Sequence, residues 1–207
     1  KPMSDTPELL LWGAPEWRAS GVVVFAPERR FQLLALLALK SGEWVPRDQI
    51  AALLWPDHGN AQARRNLRNV VFKAHAVPGG PAVQANDHAL RWDVATDVQA
   101  FGRAVQEQRF GDAVEMRRGA LLEGLEDARN DAFAAWLGAE RKRLDARWHQ
   151  AALDHLAVLT APDARAALAE PGSAAPDRSP GGPGPGASAA AGPTPDDRRL
   201  RAALVNL

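Results

Sequence analysis

The chain has 207 residues, of which 46% are hydrophobic, and its 25 Lys and Arg are balanced by 25 Asp and Glu. That apolar content is enough for a buried core at this length. Zero net charge excludes a uniformly basic nucleic-acid coat and a uniformly acidic disordered chain, but leaves room for a local basic surface.

Cys is absent, which removes disulfides, Cys-based zinc sites and a thiol nucleophile. The most apolar stretch, Phe31 to Leu39, falls short of the about 20 residues that a membrane span requires. With no secretory leader visible, a cytoplasmic location without a membrane partner is expected.

In chain order, Leu9 to Trp12 and Val22 to Phe25 are short strand candidates, separated by Gly13, Pro15 and the Ser20-Gly21 turn signal. Pro27 precedes a strongly apolar helix, Arg29 to Lys40, which Gly42 stops. Pro46 opens a second helix, carrying Ile50, Leu53 and Leu54 on one face and ending at Trp55-Pro56. Trp55 is expected to anchor that helix in the core. Asn60 is placed as the N-cap of a third helix reaching about Ala76. Val83 and Ala85, the Asn86-Asp87-His88 turn, and Leu90, Trp92 and Val94 then alternate as a β-hairpin.

Beyond this point the pattern becomes helical. Val98, Phe101 and Val105 mark one inner face, and Asp112 is read as the cap of a short second helix. Leu121 to Gly124 reads as a connection. A long helix follows from Asp131 to Leu159, with Phe133, Leu137, Leu144, Trp148, Ala152, Leu156 and Leu159 at helical spacing. Arg141, Lys142, Arg143 and Arg147, interleaved with Glu140 and Asp145, read as its solvated face. Residues 171–195 hold seven Pro and six Gly, so a flexible linker is expected there.

The fold class expected is an α+β winged helix-turn-helix domain, residues 8–95, followed by an all-α, TPR-like helical domain, residues 96–165. A Pro/Gly/Ala-rich linker covers 166–195. A short helix, or the start of a further segment, covers 196–207.

The third helix carries the most functional information. At about 100° per residue, Ala63, Leu67, Val70, Val71 and Ala74 share one arc, the core face. Gln62, Arg65, Arg68, Asn69, Phe72 and Lys73 share the opposite arc, with Arg64 and Asn66 on the flanks. No acidic residue occurs between Asp57 and Asp87. Arg can fork onto guanine edges, Asn and Gln can bond adenine edges, and Arg or Lys can neutralise phosphates. Phe72 on that arc would meet a thymine methyl or the underside of the hairpin. Helix, turn, helix and hairpin is the winged-helix order, with the second of the two helices in the major groove. Asn86, His88 and Arg91 would then lie on or near the wing.

The run Pro46-Arg47-Asp48-Gln49-Ile50-Ala51-Ala52-Leu53-Leu54-Trp55-Pro56-Asp57, followed by Ala63-Arg64-Arg65-Asn66-Leu67-Arg68, resembles activators of the Streptomyces antibiotic regulatory protein (SARP) type. These pair an OmpR-type winged helix with a bacterial transcriptional activation domain (BTAD). Three later segments resemble that second domain: Thr96 to Phe101, Gly119 to Leu125, and Ala135 to Arg141. The resemblance covers roughly residues 8–160. It implies DNA-contact roles for Arg64, Arg65, Arg68, Asn69 and Lys73, to which Gln62 is added by its place on the same polar arc. It implies RNA polymerase contact by the loop that holds Pro56, Asp57, His58 and Asn60. For the helical domain it implies dimerisation or signal coupling. The implied partners are duplex DNA, RNA polymerase and, as a homodimer, a second copy of the chain.

Enzyme readings lack an inventory. There is no phosphate-binding Gly-x-x-x-x-Gly-Lys motif and no Gly-x-Ser-x-Gly elbow. His149 and His155 lie six apart on one helix, which does not put them on one face for a metal. No catalysis, cofactor or metal is expected. The competing class is a protein-interaction module whose winged helix has lost DNA binding.

Overall fold

The computed structural model describes residues 8–18, 22–74 and 80–161, all within one compact unit, Lys1–Ala169. The expected linker and C-terminal segment lie outside the described residues.

Three two-residue strands open the fold: β1 (Leu9–Leu10), β2 (Glu16–Trp17) and β3 (Val23–Val24). They pair antiparallel in that order, Leu9 opposite Trp17 and Glu16 opposite Val24. The sequence pattern gives β1 and β3, which lie in four-residue apolar runs, and misses β2, whose Glu16-Trp17 pair sits between Pro15 and Arg18 outside any such run. Helix α1 (Arg29–Leu39) is buried from Phe31 to Ala38. Gly42 follows at φ +86°, a conformation that glycine adopts without strain.

Strand β4 (Val45–Pro46) leads directly into α2 (Arg47–Leu54). Pro46 thus precedes the helix as expected, and it also closes a strand that the sequence does not announce. Helix α3 (Asn60–Ala74) follows after a short loop. Its first turn hangs from the Gly59 carbonyl, which accepts from the N–H groups of Gln62 and Ala63 at 2.9 and 3.0 Å. Asn60 is therefore inside the helix and does not cap it. The hairpin β5 (Gln84–Ala85) and β6 (Ala89–Arg91) joins β4 in a three-stranded sheet, with β6 in the middle.

Helix α4 (Asp97–Gln106) begins with a capping box. Thr96 Oγ1 accepts from the Gln99 N–H at 3.1 Å, and Gln99 Oε1 accepts from the Thr96 N–H. The short α5 (Phe110–Glu115) has Asp112 in its first turn and Arg109 at the cap position, one correction to the expected cap. Helix α6 (Asp131–Thr160) runs 30 residues. Phe133, Leu137, Leu144 and Ala152 of its expected inner face are buried, whereas Leu159 is exposed.

One hydrophobic core runs from Leu9 to Leu144. The N-terminal strand helps to join its parts. Leu9 bridges Thr96 and Trp12 bridges Leu121. The Asp97 carboxylate accepts the N–H groups of Leu11 (2.7 Å) and Trp12 (3.1 Å). Burial pushes that carboxyl up, outweighing these bonds and the nearby Arg118 guanidinium. The Trp12 ring packs edge-on against Phe101, and Trp17 stacks on Trp92.

Arg141 departs from the expected solvated face. Its guanidinium donates to the carbonyls of Leu121 (2.8 Å) and Leu122 (3.3 Å) and pairs with Glu126. Leu122 sits at φ +52°, in the turn whose carbonyls the guanidinium holds. Arg147 lies over the Phe101 ring and Asp145 pairs with Arg117, so this face binds its neighbours as much as it meets solvent. Asn130 caps α6 by accepting the Phe133 N–H, and its amide donates to the carbonyls of Leu53 and Leu54 at the end of α2.

Candidate nucleic-acid interface

The two faces of α3 separate as the helical wheel requires. Ala63, Leu67, Val71 and Ala74 are buried, and Val70 packs against the core. Gln62, Arg64, Arg65, Arg68, Asn69, Phe72 and Lys73 are all exposed. Contacts from α1 and α2 hold the buried face, so the polar face is presented by a fixed support. Among the described residues, no side-chain hydrogen bond or ion pair ties Arg65, Arg68, Asn69 or Lys73 to a neighbour. Gln62 donates to Asn66 at 2.9 Å, one turn further along.

Arg64 is committed differently. Its guanidinium grips Asp48, at the start of α2, through two bonds of 2.8 and 2.7 Å. The bonded Arg64 holds the Asp48 carboxyl below its ordinary range. Both groups stand mostly in solvent, so the pair orients Arg64 more than it stabilises the fold. Asp48 belongs to the site and escapes the sequence reading, because its link to Arg64 spans 16 residues and two helices.

The hairpin turn stands beside α3. Asn86 Oδ1 accepts the N–H groups of His88 (2.9 Å) and Ala89 (2.7 Å), an Asx-type turn. This side-chain oxygen builds the turn and is not free to read a base. Arg47 fastens the turn to α2. Its N–H donates to the His88 carbonyl and its Nε to the Asn86 carbonyl, both at 2.8 Å. Arg47 is a second residue of the site that periodicity does not single out. Between α2, α3 and the turn lies an open groove of about 640 Å³, lined among others by Arg47, Asp48, Arg64, Arg68 and His88. His88 is exposed at its edge. Arg91 is half-buried and donates to Asp93 at 3.0 Å, along the sheet.

Pro56, Asp57, His58 and Asn60 are exposed together on the loop between α2 and α3, while Trp55 is buried beneath them. The loop is pinned by the His58 N–H donating to the Trp55 carbonyl at 3.2 Å. Among the described residues, no three His, Cys, Asp or Glu are grouped to hold a metal ion. No helix among them is long and apolar enough to cross a membrane.

No family model matches this chain, and no curated protein does. Among solved structures it is similar to "Mycobacterium tuberculosis EmbR in complex with low affinity phosphopeptide", with 17% identity and a TM-score of 0.55. The match covers 78% of this chain and 48% of that chain, so the chain spans about half of the structure it resembles. At this identity the likeness shows the fold alone. Together with small sheets and several helices, it is compatible with a winged helix followed by a helical domain.

Proposed function

We propose that this chain binds duplex DNA in a sequence-specific manner and regulates transcription in the cytoplasm as an activator of the SARP type. In this reading α2 and α3 form the helix-turn-helix and α3 enters the major groove. The β5–β6 turn, as the wing, approaches the adjacent backbone. The loop from Pro56 to Asn60 contacts RNA polymerase. The segment from α4 to α6 is the TPR-like part, serving dimerisation or signal coupling. Residues act by binding and orientation, and no catalysed step or cofactor is part of the reading.

The observation that carries it is the outward face of α3. Arg65, Arg68, Asn69 and Lys73 stand exposed together on a helix whose other face is locked in the core. No acid lies between Asp57 and Asp87 to cancel their charge. Arg and Asn side chains unspent on the fold are what guanine, adenine and phosphate recognition needs.

The test is fluorescence anisotropy of the full chain with labelled random duplex, titrated with salt. Each neutralised phosphate contributes a slope of about −0.9 in log K against log[salt]. Three free cations on α3 thus predict a slope of roughly −2.7. Arg68→Ala is expected to weaken binding and to flatten the slope by about 0.9. Absence of any duplex binding at low ionic strength would overturn the reading and favour the protein-interaction module.

A further inference from the structure

Phe72 is 82% exposed, more than any other large hydrophobic side chain described, with Val22 next at 67%. A single exposed apolar residue is ordinary on a protein surface. The position of this one is not. Arg65, Arg68, Asn69 and Phe72 follow the i, i+3, i+4, i+7 spacing of one helix face, and all four are exposed. Phe72 is thus an apolar group in a row otherwise built for hydrogen bonding. Its exposure also rules out burial beneath the hairpin.

We propose that Phe72 reads a thymine methyl group in the major groove, and so is a specificity-determining residue. This rests on the DNA-binding reading above. The C5 methyl of thymine is the apolar feature of the major-groove edge, and Phe is among the side chains that contact it. Asn69, three residues earlier, suits the adenine N6/N7 pair. Three residues advance α3 by about 4.5 Å and turn it by about 60° from the starting direction. That offset is close to the roughly 3.4 Å rise of one base step. The preferred duplex therefore carries adenine under Asn69 and thymine one or two steps away.

An apolar protein groove is the other surface that could cover Phe72. Charge disfavours it, because Arg65, Arg68 and Lys73 flank the ring without acidic partners among the described residues. A protein groove that takes Phe72 would have to supply acidic partners for these cations, whereas the phosphates beside a DNA groove supply that charge outright.

The test starts from duplexes enriched by the full chain out of a randomised pool. Each thymine of the enriched duplex is then replaced singly by uracil, which removes only the methyl. At one position the replacement is expected to lower wild-type affinity about fourfold, the value of one buried methyl-sized group. The same replacement leaves the affinity of Phe72→Ala unchanged. Phe72→Leu, which keeps an apolar side chain, retains part of the sensitivity. Arg68→Ala retains all of it. The proposal is overturned if the enriched duplex has no thymine near the preferred adenine, if no uracil lowers wild-type affinity, or if the loss persists in Phe72→Ala. Enrichment without a uracil effect sinks this inference alone. Failure to enrich any duplex removes the DNA-binding reading together with it. A Phe72→Ala variant that loses a protein partner but no DNA affinity overturns this inference and leaves the DNA-binding reading standing.

Discussion

Asn130 offers a sharp test of how the helix-turn-helix is held. The side chain is 1% exposed and works in two directions. Oδ1 caps α6 through the Phe133 N–H at 3.0 Å. Nδ2 donates to the carbonyls of Leu53 (3.0 Å) and Leu54 (3.3 Å), in the last turn of α2. Asn130→Asp separates these roles. Asp caps a helix about as well as Asn, and its charge gains about 0.3–1 kcal/mol from the helix dipole. Both donors are lost, however, and a carboxylate then faces two carbonyl oxygens. An unsatisfied buried acceptor costs about 1–3 kcal/mol, more when a charge is involved. Two such losses less the dipole gain leave a net destabilisation of about 1–6 kcal/mol. Urea unfolding followed by the fluorescence of the seven Trp residues measures it. If Asn130→Asp is within about 0.5 kcal/mol of the wild type, the ordinary range of a surface change, the tie to α2 contributes nothing.

Two further outcomes are expected. Asp48→Asn releases Arg64 from its carboxylate, so Arg64 joins the free cations of α3 and the salt slope of duplex binding steepens by about 0.9; an unchanged slope would mean that Arg64 does not reach a phosphate. Burial pushes the Asp127 carboxyl up, but the Arg129 N–H, the Arg29 guanidinium 2.5 Å away and Gln32 outweigh it and hold the carboxyl below its ordinary range. The folded state thus binds this proton less tightly than the unfolded chain does. Asp127 therefore stabilises the fold above the unfolded carboxylate range, near pH 3.9, and that part is lost as pH falls through the lowered value. Thermal midpoints of the wild type and Asp127→Asn are expected to differ near neutrality and to approach each other in acid. A gap that stays constant with pH refutes the assignment.

The long helices were legible because burial imposes a period on them. Ala63, Leu67, Val71 and Ala74 repeat every three or four residues, and the exposed complement on α3 follows from the same arithmetic. The hairpin was legible from alternation on both sides of Asn86. Strands β2 and β4 were not, since neither Glu16-Trp17 nor Val45-Pro46 lies in a longer apolar run of the kind that marks β1 and β3. The connections between elements were hidden for another reason. Asn130 and Leu53 are 77 residues apart, and Asp48 and Arg64 are 16 apart. Only tertiary packing brings such pairs together. Arg141 shows the same limit: charge alone suggested solvent, and the carbonyls it binds become visible only once the Leu122 turn has formed.

The strand that meets Thr96, Asp97 and Leu121 also sets a timetable. Asp97 follows Leu11 by 86 residues, and Arg118, which donates to the Trp12 carbonyl, follows Trp12 by 106. At translation rates of about 5–20 residues per second, these partners leave the ribosome roughly 4–20 seconds after the strand does. Until then Leu9, Leu10, Leu11 and Trp12, all buried in the finished fold, have no permanent cover. The stitch that unites the folded core therefore creates a window during synthesis in which this apolar segment is open to chaperones or to a neighbouring nascent chain.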